Sequence, residues 1–95
     1  MLAGGITLEK SFNNLGKMPQ GAASAWAAFD GEGIVGAGYK PLLYVGMQVV
    51  KGINYWFICE QTTITAEPER HIVKMAINEF NGSYYVVPHS IEVIF

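Results

Sequence analysis

The sequence predicts an α+β domain in which a single helix packs on an antiparallel sheet of four to five strands. One segment before residue 30 carries apolar residues at the three- and four-residue spacing of a helix face. From Tyr39 onward the apolar residues recur with period two, and this run is interrupted at Gly52, near Pro68 and at Asn81-Gly82. One helix followed by consecutive strands is typical of α+β domains, because strands joined in series pair antiparallel.

Chain length and composition limit the classes of protein to which this chain can belong. The 95 residues are 51% hydrophobic and 15% charged, which predicts one folded domain over residues 1–95. A net charge of −2 with six scattered basic residues offers no stripe for a phosphate backbone, so nucleic acid is not an expected partner. No apolar run reaches the roughly 20 residues of a membrane-spanning helix, so we expect a soluble protein without a membrane partner.

The cysteine content and the amino terminus bear on the compartment. A single cysteine, Cys59, forms no internal disulfide, so packing must hold the fold and a reducing compartment is favoured. The first ten residues lack the basic start and apolar run of a secretory signal. We therefore expect a cytoplasmic protein, with a mature secreted form as the alternative.

The elements follow in order along the chain. Residues 6–12 alternate weakly and predict a short strand. Residues 19–29 predict the helix, with Pro19 at its first position and an apolar face at its core side. Asp30 and Gly31 are expected to end this helix, and residues 33–38 are expected to form a glycine-rich loop. The predicted helix face consists of Ala22, Ala25, Trp26 and Phe29.

Period two assigns the faces of the strands that follow. On the second strand after the helix, Trp56 is expected to face outward and to mark an interface beside the hairpin. Asn81-Gly82 predicts a type I′ hairpin between the third and fourth strands. The predicted core sides hold Ile53, Tyr55, Phe57 and Cys59 on the second strand, His71, Val73, Met75 and Ile77 on the third, and Tyr85, Val87, His89, Ile91, Val93 and Phe95 on the fourth.

A short motif lies in the first hairpin after the helix. Gln48, Val50 and Gly52 form a Gln-x-Val-x-Gly pattern, and Asn54-Tyr55 follow it. This segment resembles the signature of the cystatins. The order of one helix, a hairpin bearing the signature and further antiparallel strands also resembles that family, as does the glycine pair near the amino terminus.

The resemblance implies an inhibitor of papain-like cysteine proteases. Such a protein would block the active-site cleft with an amino-terminal glycine segment and two hairpin turns, without catalysis, cofactor or metal. The predicted helix, about 16 Å long, is shorter than that of the family, and the second hairpin lacks the tryptophan of many secreted members. The disulfide-free intracellular type is the nearer match. The residues expected to contact the protease are Gly4, Gly5, Gln48, Val49, Val50, Lys51, Gly52, Asn81 and Gly82.

Other interpretations remain open at this stage. The motif is also compatible with an ordinary turn, and the domain with a non-inhibitory interaction module or a homodimer. Cys59 is interpreted as a small core residue, although a thiol enzyme with His71 or His89 as the base is a further alternative. Gln48 could bond within the hairpin or to an enzyme. Two histidines and one cysteine on separate strands do not make a zinc site.

Overall fold

A computed structural model describes residues 5–8, 18–32 and 36–95 of the chain. It contains a helix, α1, and an antiparallel sheet in the order β1-β2-β3-β4-β5, with a two-residue strand, β6, paired to β4. The predicted α+β class is therefore confirmed. The bounds are β1 Ile6–Leu8, α1 Gln20–Glu32, β2 Ala37–Val50, β3 Gly52–Thr63, β4 Arg70–Phe80, β5 Ser83–Val86 and β6 Glu92–Val93.

The helix is longer than predicted and begins one residue later. Pro19 precedes α1, and its carbonyl accepts the first hydrogen bond of the helix, from the Ala23 N–H at 2.9 Å. Asp30 and Gly31 do not end the helix, which continues to Glu32 and spans about 20 Å over its 13 residues. The predicted termination was wrong because a glycine lowers helix propensity without preventing the next turn.

The predicted first strand and the predicted glycine-rich loop lie partly outside the described residues. Of the predicted first strand, residues 6–8 form β1, whereas residues 9–12 lie outside the described part. Residues 33–35 of the predicted loop also lie outside it. Gly36 occupies a turn with φ of 91°, but Ala37 and Gly38 belong to β2, so the loop prediction was wrong for those two residues.

The core lies between α1 and one face of the sheet. Ala22, Ala25 and Phe29 of the helix are buried there, as predicted, and Trp26 packs against Phe57 with ring centroids 5.2 Å apart. Helix and sheet approach closely at Gly21, where an added Cβ would lie 2.1 Å from the Tyr55 hydroxyl oxygen. The predicted sheet side of this core is confirmed for Tyr55, Phe57, Cys59, Val73, Met75 and Ile77.

The predicted inward face of the last strand was wrong for Tyr85, His89, Val93 and Phe95, whereas Ile91 packs against the core as predicted. The turn at Asn81-Gly82 has positive φ at both residues, 51° and 79°, and pairs Phe80 with Ser83. This register turns the even-numbered residues Tyr84 and Val86 toward the core and leaves Tyr85 52% exposed.

Beyond β5 the strand is interrupted. The Ser90 N–H donates to the Val87 carbonyl across a turn that contains Pro88 and His89, and His89 has a φ of 63°. Proline cannot continue the ladder because it lacks an N–H. Consequently His89 is exposed, and Val93 and Phe95 are 53% and 84% exposed, contrary to the prediction.

Candidate functional site

Three chain segments meet at one end of the sheet. The first is Gly5, immediately before β1. The second is residues 48–52, which comprise the end of β2, the β2–β3 turn and the start of β3. The third is residues 80–82, which comprise the end of β4 and the β4–β5 turn. Because β1 begins where β2 ends and all neighbouring strands are antiparallel, these segments lie side by side. We call this set of residues the hairpin end.

The first turn is tight. Val50 pairs with Gly52, so Lys51 alone lies between the two paired residues. Gly52 has a φ of 84°, and an added Cβ there would lie 2.2 Å from the Glu79 carbonyl oxygen. Glycine is therefore required for two reasons: the left-handed backbone conformation and the close approach of the turn to β4.

A row of amide side chains crosses the sheet beside this turn. Gln48, Asn54 and Asn78 occupy matching positions on β2, β3 and β4. The Asn54 Nδ2 and the Trp56 Nε1 both donate to Gln48 Oε1, at 3.2 and 3.0 Å. The Asn78 Nδ2 donates to Asn54 Oδ1 at 2.8 Å and to the Lys51 carbonyl at 3.2 Å.

This row decides what the sequence left open about Gln48. Its side-chain oxygen is an internal acceptor within the hairpin. Trp56, which was expected to mark an interface, is half-buried on the sheet face away from the helix and donates its indole N–H to this oxygen.

The amino-terminal segment is brought to the same end by β1. Ile6 pairs with Gln48, and Gly5 precedes that pair and is exposed. At Gly46 of β2 an added Cβ would lie 2.0 Å from the Thr7 carbonyl oxygen, so the absence of a side chain lets β1 approach. Gly4 lies outside the described residues.

The second turn lies beside the first. The Gly82 N–H donates to Glu79 Oε1 at 3.0 Å, which closes the β4–β5 turn. The Lys51 Nζ lies 5.5 Å from the centroid of the Phe80 ring, a cation–π contact that joins the two turns. Val49, Val50 and Phe80 remain 42%, 40% and 40% exposed, so the hairpin end presents apolar surface next to exposed glycines.

The sequence missed several residues that shape this site. Asn78 and Gly46 act through contacts between residues distant in the sequence, and Phe80 is positioned by the second turn. The position of Asn78 directly after the apolar stretch 75–77 of β4 is a sequence signal for it, but its partners depend on strand register.

The buried thiol does not resemble a catalytic one. Cys59 is 0% exposed, and burial raises its pKa from 9.0 to about 12. The thiolate, which is the nucleophilic form, is therefore strongly disfavoured. His89 lies on the exposed turn after β5, and His71 Nε2 lies 3.3 Å from Glu69 Oε2.

A groove of about 310 Å³ lies at the other end of the sheet and is lined by Glu60, Arg70, His71, Ile72 and Phe95. Arg70 Nη2 donates to Glu60 Oε2 at 2.6 Å, and this hydrogen bond lowers the pKa of the Glu60 carboxyl. These two charges are therefore paired with each other. Within the described ranges, no group of three or more histidine, cysteine or acidic side chains is placed to hold a metal ion.

Comparisons with protein-family models, curated proteins and solved structures gave no match to this chain. Among the described residues, no helix has both the length and the apolar character needed to cross a membrane. The chain is thus an α+β domain whose hairpin end presents apolar side chains and exposed glycines.

Proposed function

We propose that this protein inhibits papain-like cysteine proteases by inserting its hairpin end into the active-site cleft. The observation that carries the proposal is the convergence of Gly5, the first turn and the second turn at one end of the sheet. Residues 48–52 were selected from the sequence by their resemblance to the cystatin signature, and Gly5, Asn81 and Gly82 by the wider resemblance to that family. The cystatin-type function is thus supported by a motif and by an independent geometric arrangement.

The apolar side chains and the glycines of the hairpin end suit insertion into the narrow active-site cleft of a protease. Val49, Val50 and Phe80 supply exposed apolar side chains, and the glycines allow the backbone to approach a partner closely. The first turn is held by the amide row and by its contact with β4, so little conformational entropy is lost on docking. No group at this surface needs to react with the protease.

The direct test measures the rate of papain-catalysed hydrolysis of a peptide substrate at increasing concentrations of this protein. We expect saturable inhibition by the wild-type protein. Val50→Asp places a charge on the first turn and should raise the dissociation constant at least about tenfold, which corresponds to 1.4 kcal/mol.

Ile64→Asp is the matched control. Ile64 is an aliphatic residue, 70% exposed, at the opposite end of the sheet, where β3 ends. We expect this variant to inhibit papain as well as the wild type. Full papain activity at a large excess of the wild-type protein, or equal loss in both variants, would contradict the proposal.

A second candidate function is binding through the sheet face away from the helix, including association between two copies of this chain. Ile6 and Leu8 are 46% and 58% exposed, and a groove of about 140 Å³ is lined by apolar residues and Lys74. Sedimentation equilibrium tests this function. A concentration-dependent dimer that Leu8→Asp abolishes would support it, and a monomer at millimolar concentration would oppose it.

A further inference from the structure

Asn78 is a buried polar residue whose side-chain oxygen has no hydrogen-bond donor among the described residues. Its side chain is on β4 and is 2% exposed, and both of its described hydrogen bonds are donated by Nδ2. Its Oδ1 accepts no hydrogen bond within the described ranges. A buried acceptor without a partner costs free energy of folding, and the two hydrogen bonds donated by Nδ2 offset that cost.

The orientation of this amide follows from its neighbours. Nδ2 faces two oxygen atoms, the Lys51 carbonyl and Asn54 Oδ1. Reversing the amide would direct Oδ1 at both acceptors, where no proton is available between the oxygens. The side chain is therefore oriented as a donor toward the first turn.

The bond to the Lys51 carbonyl joins residues 27 positions apart. It ties the tip of the first turn to the strand that enters the second turn. Gly52 rests against the backbone of the same strand, at Glu79. The first turn is thus held to β4 by one hydrogen bond and one close backbone contact.

We propose that Asn78 is a positioning residue that preorganises the first turn for binding. It contacts no protease in this mechanism and acts through the Lys51 carbonyl and the amide row. The proposal rests on the proposed inhibitory function, because preorganisation matters only where the turn enters a partner. It predicts that loss of Asn78 lowers affinity by freeing the turn.

The test compares Asn78→Ala with Ser90→Ala. Ser90 is also buried, and its Oγ accepts the Ala76 N–H at 3.1 Å, so its loss weakens the same strand without touching the first turn. For each variant we would measure the dissociation constant for papain and the ¹⁵N order parameters of the Lys51 and Gly52 amides. Asn78→Thr is a second variant, since threonine suits a strand but its single hydroxyl donor cannot serve both acceptors.

In both Asn78 variants we expect the order parameters of the turn to fall from about 0.85 to below about 0.6. The dissociation constant should rise about tenfold or more, while Ser90→Ala keeps wild-type values of both quantities. Unchanged order parameters in a folded Asn78 variant, or an equal fall in Ser90→Ala, would overturn the positioning role. If the wild-type protein does not inhibit papain, the proposed inhibitory function is wrong. The order parameters then still test whether Asn78 orders the first turn.

Discussion

Gly52 has both a backbone conformation and a packing contact that exclude a side chain. Its φ is 84°, and a Cβ would lie 2.2 Å from the Glu79 carbonyl oxygen. We expect Gly52→Ala to lower the free energy of unfolding by more than about 2 kcal/mol, because left-handed strain and the backbone contact add. Urea denaturation followed by tryptophan fluorescence measures this change.

Gly82 allows the cost of the left-handed backbone conformation to be measured without the cost of the packing contact. It has a φ of 79°, but a Cβ there would meet no atom within 4 Å. Gly82→Ala should therefore carry the conformational cost alone, about 1–2 kcal/mol. Equal losses in the two variants would show that the contact between the first turn and β4 contributes nothing.

At the level of the residue, sequence and structure contributed differently to this site. The motif selected Gln48, Val50 and Gly52, and Asn-Gly correctly predicted the second turn, because local backbone preferences act over a few residues. The role of Gln48 as an internal acceptor required Asn54 and Trp56 to be placed beside it. Those contacts depend on the pairing of β2 with β3.

Among the elements, β1 is the one whose position depends most on a single residue. Gly46 lies opposite Leu8 in the β1–β2 pair, and a Cβ there would lie 2.0 Å from the Thr7 carbonyl oxygen. Gly46→Ala should push β1 away from β2, with a loss of about 1–3 kcal/mol from overpacking. Hydrogen–deuterium exchange should show faster exchange of the Ile6–Leu8 amides, and papain inhibition should weaken.

Gly38→Ala is the control for this prediction. Gly38 lies in the same strand, is exposed, and has only the Thr62 carbonyl oxygen at 4.0 Å from a built Cβ. Exchange from β1 should be unchanged in this variant. If Gly46→Ala also leaves β1 protected, the strand is not held by the close approach at Gly46.

The register and the end of the final strand could not be predicted from the sequence. The alternating pattern after residue 84 predicted one long strand with odd-numbered residues inward. The two-residue turn instead sets the opposite register, and Pro88 and His89 then interrupt the ladder. At this interruption the side chain of buried Ser90 bonds to the backbone of β4: its Oγ accepts a hydrogen bond from the Ala76 N–H and donates one to the Ala76 carbonyl.

For the molecule as a whole, burial of Cys59 makes the free energy of unfolding decrease at alkaline pH. Burial raises its pKa from 9.0 to about 12, so the folded protein keeps the thiol protonated while the unfolded chain ionises. The resulting stabilisation is fully present below pH 9.0 and is lost as pH rises from 9.0 toward 12. In that window it should fall by about 1.4 kcal/mol per pH unit.

Cys59→Ala isolates this effect from the ionisation of other groups, including Tyr55, whose pKa is also raised by burial. The free energy of unfolding would be measured by urea denaturation with a reductant at pH 7, 9, 10 and 11. The wild type should be more stable than the variant at pH 7, and this difference should narrow above pH 9. A difference that stays constant across the series would contradict the coupling.

The sequence by itself determined the α+β class, the apolar helix face, the core sides of β3 and β4, and the turn at Asn81-Gly82. These features depend on spacing and on the backbone preferences of neighbouring residues, which a single chain displays directly. The tertiary structure alone decided the convergence of three segments at the hairpin end and the bond from Asn78 to the first turn. These contacts join residues far apart in the chain, so strand register, set by the turns and the shared core, brings them together.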